Sequence, residues 1–157
     1  MNIQERIEAL ETEFDKKIKA LKAEMQREEE FPQDGDDYWY VDDDTEVMDI
    51  EWDGSNCDQD RMSIGNIFRT KEQAEFAAEK LRVEAELRKF SKPFEHGKPN
   101  FNLIFNKDNG LIIDAWNIYW CQGTIHFESE GKAQQAISTV GEERIKKYIF
   151  GVEGKYE

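Results

Sequence analysis

Three carboxylates alternate along one short segment of the chain, at Asp49, Glu51 and Asp53. The intervening residues are apolar: Met48, Ile50 and Trp52. In a β-strand, side chains two residues apart share a face and stand about 6.7 Å apart. That distance is on the scale of successive phosphates in a nucleic-acid backbone. The pattern therefore predicts either a surface that competes for a phosphate-binding groove or an ordinary strand with one solvated face.

The surrounding segment concentrates the charge of the whole protein. Residues 34–60 hold twelve Asp or Glu and no Lys or Arg, and residues 31–60 carry a net −12 of the total −14. A disordered acidic tail would lack the aromatic residues that this segment contains. Because an acidic surface repels nucleic acid and anionic lipid, we expect a basic protein surface as its partner. The predicted partner-binding residues are Asp42, Asp43, Asp44, Asp49, Glu51, Asp53, Tyr38 and Tyr40.

The residue types that usually hold metals or perform catalysis do not form a recognisable pattern. Asp34, Asp36, Asp37 and Asp42 to Asp44 could supply oxygen ligands to calcium, but they lack the glycine and terminal glutamate of an EF-hand. His96, His126, Cys57 and Cys121 do not have zinc-site spacing. We found no catalytic constellation or phosphate-binding loop. We therefore predict a non-enzyme with no cofactor, and two cysteines that are small buried core residues.

Several aromatic residues could stack a base or another flat ligand. They are Tyr38, Trp39, Tyr40, Trp116, Tyr119 and Trp120. In a small sheet such residues more often fill the core. The second half of the chain is near neutral and contains Lys98 and Lys107, so it is the better candidate for a ligand pocket.

An amphipathic helix is predicted at the N-terminus. Its apolar stripe consists of Ile3, Ile7, Leu10, Phe14, Ile18, Leu21 and Met25. The average step of about 3.67 residues keeps this stripe nearly straight along the helix. A lone helix with so narrow a stripe is marginal in water, so we predict homo-oligomerisation through these residues, most simply as a dimer. Packing of the helix on the body of the protein is the alternative.

Two segments of the remaining chain repeat each other. At an offset of 59, Phe68 matches Phe127, Thr70 matches Ser129, Ala74 matches Ala133, Ala77 matches Ala136 and Leu81 matches Val140. At an offset of 64, Val41 matches Phe105, Val47 matches Leu111, Trp52 matches Trp116 and Cys57 matches Cys121. We therefore predict an α+β fold: an N-terminal coiled-coil-like helix followed by two repeated β-hairpin/helix modules with antiparallel sheet. The predicted boundaries are 1–31 for the helix, 36–91 for the acidic module and 99–152 for the second module.

Local signals place the elements within each module. Asn109-Gly110 is a strong hairpin signal between two apolar runs. The first module's helix should span Lys71 to Lys89, and a second helix should start near Glu130. The residues expected to face inward from the first helix are Ala74, Ala77, Ala78, Leu81, Ala85 and Leu87. A short terminal helix should bury Ile145, Tyr148 and Ile149. The connection after Cys57 is expected to be irregular or a third strand.

The segments GNIFRTKEQAEFAAEKL and VGEERIKKYIFGV, with a Phe-x-Ser segment between them, carry a resemblance. Over residues 38–152 the chain resembles uncharacterised small acidic proteins encoded by phages and prophages of Gram-positive bacteria. The resemblance implies a viral accessory protein, a class that includes many inhibitors of host defence. It supplies no functional residues.

Charge, composition and resemblance together predict a phage interaction protein rather than an enzyme. The first hypothesis is a homo-oligomer whose acidic hairpin, a nucleic-acid mimic, inhibits a host protein by covering its basic, nucleic-acid-handling surface. A second is a protein that binds and sequesters a small nucleotide signal between modules or subunits. A third is a coiled-coil structural adaptor. The N-terminal MNIQERIEAL has charges where a signal peptide needs an apolar run, so we expect a location in the cytoplasm of the bacterial host and no membrane partner.

Overall fold

The protein has an α+β fold with five helices and two antiparallel sheets in the part that the computed structural model describes, residues 2–152 without the side chains of residues 27–29. The helices are α1 (Ile3–Glu29), α2 (Asn56–Ser63), α3 (Lys71–Arg88), α4 (Glu130–Val140) and α5 (Glu142–Phe150). The strands are β1 (Asp37–Val41), β2 (Val47–Glu51), β3 (Ser91–Lys92), β4 (Asn100–Asn106), β5 (Gly110–Trp116) and β6 (His126–Phe127). None of the described helices is both long and apolar enough to cross a membrane.

The chain divides into two compact units. The first contains the chain up to Tyr40 together with Met48–Thr70, and the second contains Val41–Val47 together with the chain from Lys71 onward. Helices α1 and α2 thus belong to the first unit, and α3, α4, α5 and the four-stranded sheet belong to the second.

Helix α1 confirms the predicted N-terminal helix. Asn2 caps it, since its side chain accepts a hydrogen bond from the Glu5 N–H (2.9 Å) while the Glu5 carboxylate accepts one from the Asn2 N–H (2.7 Å). The seven apolar stripe residues are all exposed, from 44% at Ile7 to 75% at Ile3. The stripe is therefore not packed within the first unit, to which α1 belongs, and self-association stays a prediction.

The second unit has a four-stranded sheet in the order β3-β6-β4-β5. Strands β4 and β5 form the predicted hairpin, with Asn100 opposite Trp116 and Asn106 opposite Gly110. Gly110 adopts a φ of +73°, which the turn requires and which a glycine adopts without strain. The core lies between this sheet and the helices, where Phe101 and Leu103 pack. The buried members of the core are Val83, Leu87, Phe127, Ala133, Ala136, Ile137, Val140 and Ile145.

The predicted repeat is only partly visible. Helices α3 and α4 begin 59 residues apart, as the alignment requires, and both Ala74 and Ala133 are fully buried. Leu81, however, is 56% exposed whereas Val140 is buried. The two hairpins also differ, because one forms a separate two-stranded sheet and the other lies in a four-stranded sheet. The division into two repeated modules, residues 36–91 and 99–152, therefore stays a prediction from the sequence.

The inward face predicted for α3 is confirmed at Leu87 but wrong at Leu81 and Ala85. Leu81 and Ala85 are exposed, and Val83 is buried beside Leu87 in the core of the second unit. Residues 78 and 83 lie about 140° apart around a helix, so the two halves of α3 bury different faces. The terminal helix agrees with prediction, since Ile145 is buried and Tyr148 and Ile149 are half-buried.

Candidate functional site

The acidic hairpin, which we define as residues 37–53, places its carboxylates on the surface. The six predicted partner-binding acids are all exposed: Asp42, Asp43, Asp44, Asp49, Glu51 and Asp53. None of the six has an ion-pair partner in the part of the chain that the structure describes. Their charges are therefore not neutralised locally, and the surface keeps a concentrated negative field.

The tip of the hairpin is a tight turn with fixed geometry. The Asp42 N–H donates to the Glu46 carbonyl (2.8 Å), and the Thr45 N–H donates to the Asp42 carbonyl (2.9 Å). Thr45 adopts a φ of 67°, and the Asp44 carboxylate accepts from the Glu46 N–H (3.2 Å). These bonds hold the backbone of the three aspartates in one conformation.

A single arginine binds the hairpin tip without neutralising its carboxylates. Arg82 on α3 donates from Nη2 to the Thr45 carbonyl (2.9 Å) and to Thr45 Oγ1 (2.6 Å). Its Nη1 donates to Glu79 (3.2 Å) on the same helix. The guanidinium therefore donates its hydrogen bonds to the Thr45 carbonyl and hydroxyl and to the Glu79 carboxylate. Arg82 anchors the turn, and the aspartates beside it remain directed to solvent.

Strand β2 shows the predicted alternation only in part. Trp52, which follows the strand, is buried, but Met48 and Ile50 remain 43% and 42% exposed. Asp49 and Glu51 are exposed on the alternate positions. Both faces of β2 are thus open to solvent, one lined by carboxylates and the other by two apolar side chains.

A buried polar network supports the hairpin in the first unit. The Tyr38 hydroxyl donates to Asp58 Oδ1 (2.6 Å), and Arg61 Nη1 donates to the Tyr38 hydroxyl (2.9 Å). The other Asp58 oxygen accepts from the Asp53 N–H (3.0 Å). Because Asp58 and Arg61 lie on α2, this network attaches that helix to β1 and to the end of β2.

The network also fixes the ionisation of its carboxylate. Burial alone would raise the pKa of Asp58, but hydrogen bonds from Tyr38, Asp53 and Ser55 outweigh it and lower this pKa to about 2. Burial, with the hydrogen bond to Asp58, raises the pKa of the Tyr38 hydroxyl. At neutral pH the pair is therefore a charged carboxylate and a neutral phenol.

The two tyrosines predicted to contact a partner differ in exposure: Tyr38 is buried, and Tyr40 is half-buried. Tyr38 is 0% exposed, so its side chain belongs to the core and this part of the prediction is wrong. Tyr40 is half-buried, with the Arg61 guanidinium 3.8 Å from its ring centroid. The physical reason is that α2 covers the tyrosine face of β1. The surface that remains for recognition is carboxylate-rich rather than aromatic.

Helix α2, with Asp58 and Arg61 of the buried network, was not predicted from the sequence. An irregular connection or a third strand was expected there. The signal was present, since Ser55 followed three residues later by Asp58 is an N-cap pattern. Ser55 Oγ accepts from the Asp58 N–H at 3.4 Å. The helix is only eight residues long and mostly polar, so no apolar period revealed it.

Comparisons with known proteins return no match: no family model, no curated protein and no solved structure matches the chain. The function must therefore be inferred from physical features of the molecule. The most unusual of these are the uncompensated acids of the hairpin and the exposed stripe of α1.

The cysteines and histidines differ in burial. Cys57 and Cys121 are both exposed, so the prediction that they are buried core residues is wrong. Cys57 lies in α2 and Cys121 in the loop after β5, and neither position faces a core. Within residues 2–152, no group of three or more His, Cys, Asp or Glu could hold a metal ion. His96 is exposed, whereas His126 is buried in β6.

The aromatic residues of the second unit differ in exposure. Trp116 is half-buried, and its indole N–H donates to Asp114 (2.7 Å). Tyr119 and Trp120 are 64% and 75% exposed, so they do not fill the core. The predicted lysines, Lys98 and Lys107, are also exposed. The second unit therefore exposes Tyr119 and Trp120 in the loop after β5.

Proposed function

We propose that this chain is a non-enzymatic phage accessory protein that acts by binding. In this proposal it is a homo-oligomer that inhibits a host defence protein in the bacterial cytoplasm. Its acidic hairpin covers the basic, nucleic-acid-handling surface of that protein. The observation that carries the proposal is the set of six exposed carboxylates that have no ion-pair partner among the described residues.

Local contacts order the tip of the hairpin within the second unit and its base within the first, and this order favours recognition. Arg82 holds the tip through Thr45, and the Tyr38–Asp58 hydrogen bond holds the base. A surface that is already ordered loses little conformational entropy on binding, so more of the interaction energy appears as affinity. Its concentrated negative charge also accelerates encounter with a basic partner and makes the association sensitive to salt.

The exposed position of the acids supports binding over catalysis. A carboxylate that acts as a general acid usually needs a closed, apolar site that raises its pKa. The hairpin acids lie on open surface instead. They suit contact with lysines and arginines of a partner, which can pair with them across an interface.

Helix α1 supports the homo-oligomer. Its 27 residues span about 40 Å, and its apolar stripe runs along most of that length. An exposed apolar surface of this extent is typical of an interaction site. A second copy of the same helix offers a matching stripe, so self-association buries both at once.

Capture from host lysate by the immobilised full-length chain tests the acidic hairpin. Asp49→Asn/Glu51→Gln/Asp53→Asn removes three charges from β2 and its end and should abolish capture of the basic partner. The control Asp108→Asn/Glu128→Gln/Glu130→Gln removes three exposed acids from the second unit and should leave capture intact. The wild-type complex should also dissociate as salt rises.

The outcomes separate the proposal from its rivals. Equal capture by wild type and by the β2 variant would refute binding through the hairpin. Capture that instead requires the α1 stripe and ignores the hairpin acids would support a coiled-coil adaptor. Capture lost equally in both triple variants would show a bulk-charge effect without a specific surface.

A further inference from the structure

Four polar side chains form a row across the sheet of the second unit. Lys92 lies opposite His126, and Asn102 lies opposite Asp114. Since β4 and β6 are antiparallel with Phe101 opposite Phe127, Asn102 comes beside His126. We call Lys92, His126, Asn102 and Asp114 the polar row; it crosses β3, β6, β4 and β5 in turn.

The polar row lies on the face of the sheet away from the helices. Phe101 and Leu103 on β4 pack into the core that α3, α4 and α5 cover. Alternate residues of a strand point to opposite faces, so Asn102 points the other way. Asn102 is nevertheless only 1% exposed.

Asn102 and His126 are buried without their expected hydrogen bonds. Among residues 2–152, the amide oxygen and nitrogen of Asn102 have no hydrogen-bond partner. Nδ1 of His126 also has none among these residues. The neighbouring Asn100 behaves differently: its Nδ2 donates to the carbonyls of Glu95, Lys98 and Trp116, and its Oδ1 accepts from the Glu95 N–H. Asn100 is thus a structural residue. Asn102 is buried at a cost that the protein's own contacts do not offset.

Two aromatic rings lie in series beside the His126 imidazole. The Phe94 ring is 5.2 Å from the His126 ring and 5.1 Å from the Trp120 ring, with both pairs near edge-to-face. Trp120 is mostly exposed and lies outside the helices and strands, as do residues 117–125. A loop side chain with so little burial can move at small cost. Trp120 can therefore swing aside and admit a flat ring.

Lys92 and Asp114, the two charged members of the polar row, each have a partner outside the row. The Lys92 ammonium pairs with Glu95 (3.4 Å), and the Asp114 carboxylate accepts the Trp116 indole N–H. Burial and the Lys92 charge lower the pKa of His126, so its imidazole is neutral at pH 7. The site therefore favours a neutral group over a phosphate.

We propose that Asn102 and His126 form the polar end of a binding site for a neutral planar heterocycle of the nucleobase type, which stacks against Phe94 and Trp120. A carboxamide presents a donor beside an acceptor, the pattern with which asparagine recognises the N6 and N7 edge of adenine. Aromatic side chains stack on the faces of bases. This site does not depend on the acidic hairpin or on the function proposed for it.

The test titrates adenosine, guanosine, cytidine and uridine separately into the full chain, with tryptophan fluorescence and calorimetry as readouts. At least one nucleoside should bind saturably, with a Kd of about 1 mM or tighter. Asn102→Leu should weaken that binding at least about tenfold, because a site built around hydrogen bonds depends on them. Its midpoint of thermal unfolding should equal or exceed that of wild type, since the unpaired amide is gone.

Two further variants keep the result interpretable. Trp120→Ala changes an exposed side chain, so it should fold normally and bind the nucleoside more weakly. Ile64→Ala, equally exposed but in the first unit, should bind as wild type does. If adenosine is the ligand, purine riboside, which lacks the 6-amino group, should bind at least about tenfold more weakly.

Three results would overturn the site. They are no saturable binding of any of the four nucleosides at about 10 mM, unchanged affinity in Asn102→Leu, or unchanged affinity in Trp120→Ala. The first result would leave Asn102 as a buried amide that hydrates in solution.

Discussion

The hydroxyl of Tyr38 lies 2.6 Å from Asp58 Oδ1, and both side chains are almost completely removed from solvent. The two residues are twenty positions apart, one on β1 and one on α2. A carboxylate buried in this way requires its donors, because a charge without them would be strongly disfavoured. Loss of this hydrogen bond is therefore expected to destabilise the first unit.

Removing the Tyr38 hydroxyl should destabilise the protein. Tyr38→Phe removes the hydrogen bond to Asp58 Oδ1 and the acceptor of the Arg61 Nη1 hydrogen bond, at a cost of about 1–3 kcal/mol. The free energy of unfolding from urea titration measures this loss. Tyr119→Phe is the matched control, because the Tyr119 side chain is exposed and its change should be about 0.5 kcal/mol or less. Equal effects of both substitutions would contradict the importance of the buried bond.

The ionisation of Asp58 should make stability fall in acid. Its pKa of about 2 lies below the ordinary value of 3.8, so its charged form stabilises the folded protein above pH 3.8. That contribution is lost as the pH falls from 3.8 toward 2. Asp58→Asn should be less stable at neutral pH and should show a shallower decline across this window. Urea unfolding at several pH values checks it, and parallel declines in both proteins would contradict the assignment.

Arg144 should be important in the second unit because it joins α5 to α3. Its guanidinium donates to Glu79 and to both carboxylate oxygens of Glu86. Hydrogen bonding to Arg144 lowers the pKa of Glu79. Arg144→Lys cannot reproduce this fork and should cost about 1 kcal/mol, a modest value because the side chain is more than a third exposed.

Denaturant unfolding of Arg144→Lys checks that expectation. Arg88→Lys, on an exposed position of α3, provides the same chemical change and should be neutral. If the two lysine variants unfold at the same denaturant concentration, the Arg144 cluster contributes nothing measurable.

Charge placed in the α1 stripe should dissociate the oligomer. Leu10→Glu/Leu21→Glu inserts two carboxylates into the surface that a second copy would cover, so the mass in solution should fall to that of one chain. Light scattering after size-exclusion chromatography measures it. Ala9→Glu/Ala23→Glu adds the same charges outside the stripe and should keep the wild-type mass. A wild-type chain that is already monomeric would exclude this assembly.

The sequence predicted the elements whose signals are local. The apolar stripe of α1, the Asn109-Gly110 turn and the start of α4 at Glu130 are each signalled by residues close in sequence, and the structure contains all three elements. Helix α2 was missed because it is short and polar. The register that brings Asn102 beside His126 depends on β6 lying between β3 and β4, a non-local arrangement that no spacing in the sequence specifies.

The candidate acids were predicted more successfully than their surroundings. Charge concentration identifies Asp49 and Glu51 as surface residues, because unpaired carboxylates are almost never buried. Tyr38 was assigned to the surface with them, since a strand pattern cannot show which face another element covers. Only the position of α2 decides that Tyr38 faces inward.

Among the described residues, strand β2 pairs only with β1 in its sheet, so its other side is a free edge there. Free edges invite pairing with the same edge of another molecule, a route to uncontrolled aggregation. Oligomerisation through α1 would raise the local concentration of these edges. Asp49 and Glu51 would then confront identical carboxylates, and their repulsion opposes strand pairing between copies. In such an oligomer the hairpin acids would oppose polymerisation, a role that does not require a partner protein.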